Sequence, residues 1–164
     1  YVSCRTLHDQ LARLGYRRIG LAMELRQDQR TANLTLAGHL AHLHTQSSKT
    51  KPVPPLLTSD WTRENFLAWY RRHRPEVVVS VLDDALGWLQ DDGVDVPGQT
   101  GYASVCCLVE GISGIYQHFD EIGAAAVNQL VTQLYHNQRG LPLHPQAGLI
   151  EGTWLPGRTL RQVG

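Results

Sequence analysis

Three groups of residues in this 164-residue chain have types and spacing that chemistry uses. His39, His42 and His44 crowd one short stretch, and His39 and His42 share a helix face at i, i+3, the start of a transition-metal site. No carboxylate or thiol joins them nearby, so they are expected to be packing histidines, with no metal. Cys106-Cys107, with His118 downstream, has the makings of a thiol nucleophile and its base. Adjacent strand residues point to opposite faces, so at most one thiol can face a site, and a buried thiol otherwise behaves as a small apolar side chain. Asp83-Asp84 is an acidic pair of the kind phosphoacceptor domains carry, with a helix cap as the competing role. Glu110, Asp120 and Glu121 read as loop and cap carboxylates, because nothing in their spacing makes them converge. The expectation from these groups is a protein that is not an enzyme and has no cofactor.

The elements that must hold these residues alternate. Thr6 to Leu14 reads as the latter part of an amphipathic helix with Leu7, Leu11 and Leu14 on one face and Gly15 as its stop. Arg18 to Met23 is an apolar run suited to a buried strand, and Thr31 to His44 is a helix with Leu34, Ala37, Gly38, Ala41 and Leu43 along a stripe. A polar, proline-rich connection over 49–55 leads to a brief strand at Leu56-Leu57. Asp60 or Thr62 then caps a helix through His73 that buries Phe66, Leu67, Trp69 and Tyr70. Pro75 ends it. Val77 to Val81 is a β-branched strand, Asp83 to Gln90 a helix ended near Gly93, and Val96-Pro97-Gly98 a turn into a strand at Tyr102 to Cys106. Ile112 to Ile115 is a further strand, Asp120 caps a long helix carrying Ile122, Ala126, Leu130, Val131 and Leu134, Gly140 and Pro142 end it, and Leu149-Ile150 is the last strand. This alternation predicts an α/β fold: a Rossmann-like parallel sheet flanked by helices, joined by right-handed crossovers, with a ligand beyond the carboxyl ends of the strands.

Composition bounds the function. Fifteen basic residues balance fifteen acidic ones, so no net positive field holds DNA by charge alone. No apolar run approaches the roughly 20 residues of a membrane span, and no signal-peptide pattern opens the chain. Three cysteines, Cys4, Cys106 and Cys107, cannot pair completely and lack CxxC spacing, which fits a soluble protein of a reducing cytoplasm. The first residue is not methionine and a helix is already under way, so the chain is expected to begin inside a longer protein.

Several short motifs occur in order. Leu14-Gly15-Tyr16-Arg17-Arg18-Ile19-Gly20-Leu21 resembles the LGxRRIxL signature of the effector domain of LacI/GalR-family transcription regulators, with Tyr16 where that family usually has His. Leu36-Ala37-Gly38 resembles its LAG helix motif, Asp60-Trp61 its DW pair, Ala85-Leu86-Gly87 its ALG, and Gly93 to Pro97 its GxxVP turn. Ile122-Gly123-Ala124-Ala125-Ala126-Val127 resembles its IGxxAV helix start, and Glu151-Gly152-Thr153-Trp154 stands where the family ends its last strand. The resemblance implies two α/β lobes of a type I periplasmic-binding-protein-like domain, a ligand cleft between them, a homodimer, and operator DNA bound through a helix-turn-helix absent from this chain. It places residues 15–110 and 146–160 in the second lobe, and 1–14 and 111–140 in an incomplete first lobe.

The resemblance also implies an effector site, at which this sequence departs from the family. Where the family has an Arg before LAG, an Asn-Asp before ALG and an Asp ending the fourth strand, this chain has Thr35, Val81 with Leu82, and Cys106 with Cys107. The charge-assisted clamp on sugar hydroxyls or purines is therefore missing, which points to a smaller, more apolar or differently oriented effector. Trp61, beside Asp60, is retained and can stack on a sugar ring or planar base, or simply anchor its helix. Asp28 and Arg30, on the loop expected after the first strand, can add polar contacts or remain solvated. The expected partners are a small-molecule effector and operator DNA, without a membrane. Two alternatives remain, a secreted solute-binding protein of the same fold and a small cysteine-dependent α/β enzyme.

Overall fold

The computed structural model describes residues 1–45, 51–140 and 142–163. The expected connection over 49–55 begins outside them. Six strands form one sheet, in the order β2-β1-β3-β4-β5-β6: β1 is Ile19–Glu24, β2 Leu56–Thr58, β3 Val77–Ser80, β4 Gly101–Ser104, β5 Ser113–Tyr116 and β6 Thr153–Leu155. The first five run parallel, with Ile19 opposite Val77, Val77 opposite Gly101, and Ala103 opposite Ser113. The last strand corrects two expectations. It forms at Thr153–Leu155 instead of Leu149-Ile150, and it lies antiparallel, with Ile115 opposite Trp154. An edge strand needs a partner on one side only, so it can enter from either direction.

Alternation along the strands divides the core. Ile19, Leu21, Met23, Val77, Val79, Ala103 and Val105 face one side; Ala22, Val78 and Tyr102 face the other. The first side is covered by helix α1 (Val2–Arg13) through Leu7 and Leu11, by Leu36 of α3 (Leu34–Thr45), and by Leu160 and Val163 of the C-terminal segment. The second is covered by α4 (Arg63–His73) through Phe66, Leu67, Trp69 and Tyr70, and by α5 (Asp84–Asp91) through Ala85, Leu86 and Leu89. Thr62 is the α4 cap, its hydroxyl accepting from Asn65 N. The helix assigned by resemblance to the first lobe, α1, thus packs on this sheet, because Leu7 and Leu11 are completely buried against it.

Two further expectations change. Residues 25–30 form a short helix, α2 (Leu25–Arg30), where a loop was expected for Asp28 and Arg30. Its good helix formers needed no apolar stripe to close one and a half turns. The long helix α6 (Phe119–Tyr135) follows His118, not Asp120, at its cap position, and none of its residues is buried. Leu130 is 57% exposed and Leu134 67%.

The C-terminal segment closes the sheet. Tyr102 N donates to Thr159 O, the Thr159 hydroxyl donates to Tyr102 O and accepts from Ser113 N, and Val163 N donates to Leu14 O. Beside it, Gly114 allows β5 to approach β4, since a Cβ there would meet the Ser104 carbonyl and Cys107. Gly114→Ala should cost about 1–3 kcal/mol through this overpacking, seen as a lower urea midpoint at unchanged m.

Candidate functional site

The carboxyl ends of β1, β3 and β4 open into a cavity of about 490 Å³. Val81 comes from just beyond β3, Val105 and Cys106 from just beyond β4, and Gln117 and Phe119 from just beyond β5. Ser3 and Cys4 enter from the first turn of α1, Leu34 and Thr35 from the first turn of α3, and Gln27, Arg30 and Thr31 from α2 and its end. Ala32 and Asn33 make the turn between α2 and α3 with φ of 52° and 60°. Two successive non-glycine residues in the left-handed region cost roughly 1–2 kcal/mol each, and this turn is what holds Arg30 and Thr31 beside Leu34 and Thr35.

The candidates from sequence divide. Arg30, Thr35 and Val81 line this cavity, together with Cys106. Cys107 does not: it is buried on the opposite face of the sheet, its thiol donating to Ile112 O at 3.3 Å. Asp28 is 1% exposed and does not line the cavity; its Oδ1 accepts from Leu36 N at 3.1 Å, capping an amide of the first turn of α3. Trp61 packs on Phe66 and Trp88, with centroids 5.8 and 5.4 Å apart, and Asp60 accepts from Asn65 Nδ2 at 2.8 Å. Both lie outside the cavity lining, and Trp61 serves here as the anchor of α4. Ser3, Gln27, Gln117 and Phe119 were not singled out from sequence. Gln117 and Phe119 carried a usable signal, as residues directly following the end of a strand, whereas Ser3 joins only because α1 folds across the sheet.

The remaining reactive groups are engaged elsewhere. His118 bonds the Thr153 hydroxyl through Nε2 at 2.7 Å and meets Glu121 through Nδ1 at 3.5 Å, so it is not the base of either thiol. Burial pushes both the Cys106 and Cys107 thiols up, with the Asp83 carboxylate adding to the effect, which disfavours the nucleophilic thiolate. Asp83 holds the α5 cap position without a capping bond, and Tyr102 OH lies 3.4 Å from its Oδ1 while donating to Leu82 O at 2.8 Å.

Behind the cavity wall, a polar seam joins α1 to α3. His8 Nδ1 lies 2.7 Å from Cys4 O, which can only accept, so Nδ1 carries the proton. In a neutral ring Nε2 then accepts, from His39 Nδ1 at 2.9 Å. Both nitrogens of His8 are thereby used and neither is left to ligate an ion. The Cys4 thiol donates to Thr35 O at 3.3 Å, and burial pushes it up to about 12, keeping it a donor. The ring of His42 packs 4.6 Å from that of His8. Sequence reading singled out His39 and His42 but not His8, which meets them from another helix.

No family model matches the chain, and no curated protein matches it in sequence. Solved structures match in fold. The transcription regulator CcpA of Lactococcus lactis superposes with a TM-score of 0.73 at 15% identity, over 98% of this chain and 62% of that one. A transcription regulator from Lactobacillus plantarum gives 0.75 at 16%, over 98% and 66%. A Lac repressor dimer bound to operator and the anti-inducer ONPF gives 0.71 at 18%, over 97% and 51%. The chain shares the fold of these transcription regulators and spans between 51% and 66% of the length of the three structures.

The histidine seam makes stability depend on pH. Burial holds His8 down to about 4 and His39 to about 3, from an ordinary 6.5, and lowers His42 as well. The unfolded chain takes up protons near pH 6.5 that the fold refuses, so the seam's contribution is full above that pH and is lost as pH falls toward 4. Urea melts should lose up to about 1.4 kcal/mol per pH unit for each fully buried histidine across this window. Equal stability at pH 7 and pH 5 would contradict the neutral seam.

Proposed function

We propose that this chain is the ligand-sensing and dimerising part of a LacI-type DNA-binding transcription regulator. A small-molecule effector binds at the carboxyl ends of the strands and biases the angle between two lobes, which alters operator binding by a helix-turn-helix carried outside this chain. The observation that carries the reading is the cavity itself: on a regulator fold, it gathers Thr35, Val81 and Cys106, the positions that match the family's effector contacts. The matched Lac repressor dimer, bound to operator and an anti-inducer, is a regulator of the proposed kind. Binding in place of catalysis fits thiols held up by burial and a His118 engaged with Thr153 and Glu121.

The apolar faces of α6 fit the same reading. A helix apolar on several sides belongs inside a larger core, and of the residues 111–140 that the resemblance places in the first lobe, β5 joins this sheet while α6 is left for that lobe's remaining elements to cover. Leu130→Glu should change the stability of the chain as given by less than about 0.5 kcal/mol, yet destabilise the two-lobed protein by about 2–5 kcal/mol. Equal effects in both would remove α6 from the lobe interface.

A thermal-shift series of hexoses, purine bases and small organic acids tests the sensor. At least one compound at a hundredfold excess over its Kd should raise Tm by roughly 5–10 °C, the effect of about 2.7 kcal/mol of binding linkage. Leu34→Trp, which fills the cavity mouth from an exposed position, should abolish the rise. No rise from any compound would sink the sensor reading.

A further inference from the structure

We propose, resting on the sensor reading above, that the cavity takes a small organic anion, a monocarboxylate with an apolar body, whose charged end is held by Arg30. Two observations converge on this class. The first is the charge of the lining. Among the described residues Arg30 is the only Asp, Glu, Lys or Arg in it, and there its guanidinium donates to Gln27 Oε1 at 3.5 Å and forms no ion pair. Asp28, two residues earlier, is buried, bonds Leu36 N through Oδ1 only, and stays outside the lining. One guanidinium, held only by this long bond to Gln27, suits one carboxylate, which it can hold through two parallel bonds.

Asp120 and Glu121, in the first turn of α6, do not line the cavity although Phe119 does.

The second observation bears on the body of the ligand. Leu34, Val81, Val105 and Phe119 supply apolar wall. A polyhydroxylated sugar placed against it would leave hydroxyls without partners, at a cost of about 1–3 kcal/mol for each one buried. An aryl or branched alkyl group loses nothing there, and 490 Å³ is within the range of about 300–1,000 Å³ usual for small-molecule sites.

Isothermal titration with benzoate, benzyl alcohol and galactose, on the protein and on Arg30→Gln, tests the inference. Benzoate should bind, benzyl alcohol should bind at least tenfold more weakly, and Arg30→Gln should lose at least tenfold in benzoate affinity. Because Arg30 is exposed, the ligand-free Tm of that variant should be unchanged. Equal binding of benzoate and benzyl alcohol, or undiminished benzoate binding by Arg30→Gln, would overturn the proposal. Silence toward benzoate would overturn it too, while galactose binding in that case would leave the sensor reading standing.

Discussion

Everything in this molecule follows from β1, β3, β4 and β5 running in one direction. Parallel strands cannot be joined by a tight turn, so each return needs a crossover over a face of the sheet. Val77, Val78 and Val79 show the consequence in three residues, since alternate side chains bury on opposite faces and both faces need a cover. The shared direction also collects every strand's carboxyl end at one edge. A helix packed antiparallel to a strand begins at that same edge. The cavity is therefore a product of topology, present before any side chain is chosen for a ligand.

What distinguishes this edge is the turn chemistry and the helix seam behind it. Asp28 spends its buried carboxylate on an α3 amide, and the left-handed Ala32-Asn33 pair sets Arg30 and Thr31 beside the start of α3. On the other side of the wall Cys4 donates to Thr35 O, and His8 accepts from His39. Two of the cavity-lining residues, Cys4 and Thr35, are thus joined directly by a hydrogen bond. A buried polar network of this kind fixes one arrangement of α1 on α3, because any slip would leave imidazole and thiol groups unpaired in a region that excludes water.

α6 obeys a different rule. Its neighbours in the chain, β5 and β6, belong to the sheet, but the helix itself contributes no buried residue. A sheet stores its partners in the backbone, whereas an apolar helix satisfies its own backbone and must look elsewhere for a surface. That difference leaves the apolar residues of α6 exposed among the described residues.

Alternating apolar runs, capping residues and Gly/Pro stops were enough to determine the α/β class and most strands and helices. Each is local, resting on side-chain period and on backbone preference over a few residues. The motif order pointed to the regulator fold, and it was the resemblance that singled out Thr35, Val81 and Cys106, whereas Arg30 was singled out from its place after the first strand. Only the tertiary structure decided that Cys107 turns to the other face, that Trp61 is consumed by Phe66 and Trp88, that Asp28 is a buried cap, and that β6 enters antiparallel. It also decided that His8 meets His39 across 31 positions and that Ser3 reaches the cavity at all. Those outcomes depend on which helix lies across which strand, a matter of long-range packing that no local pattern encodes.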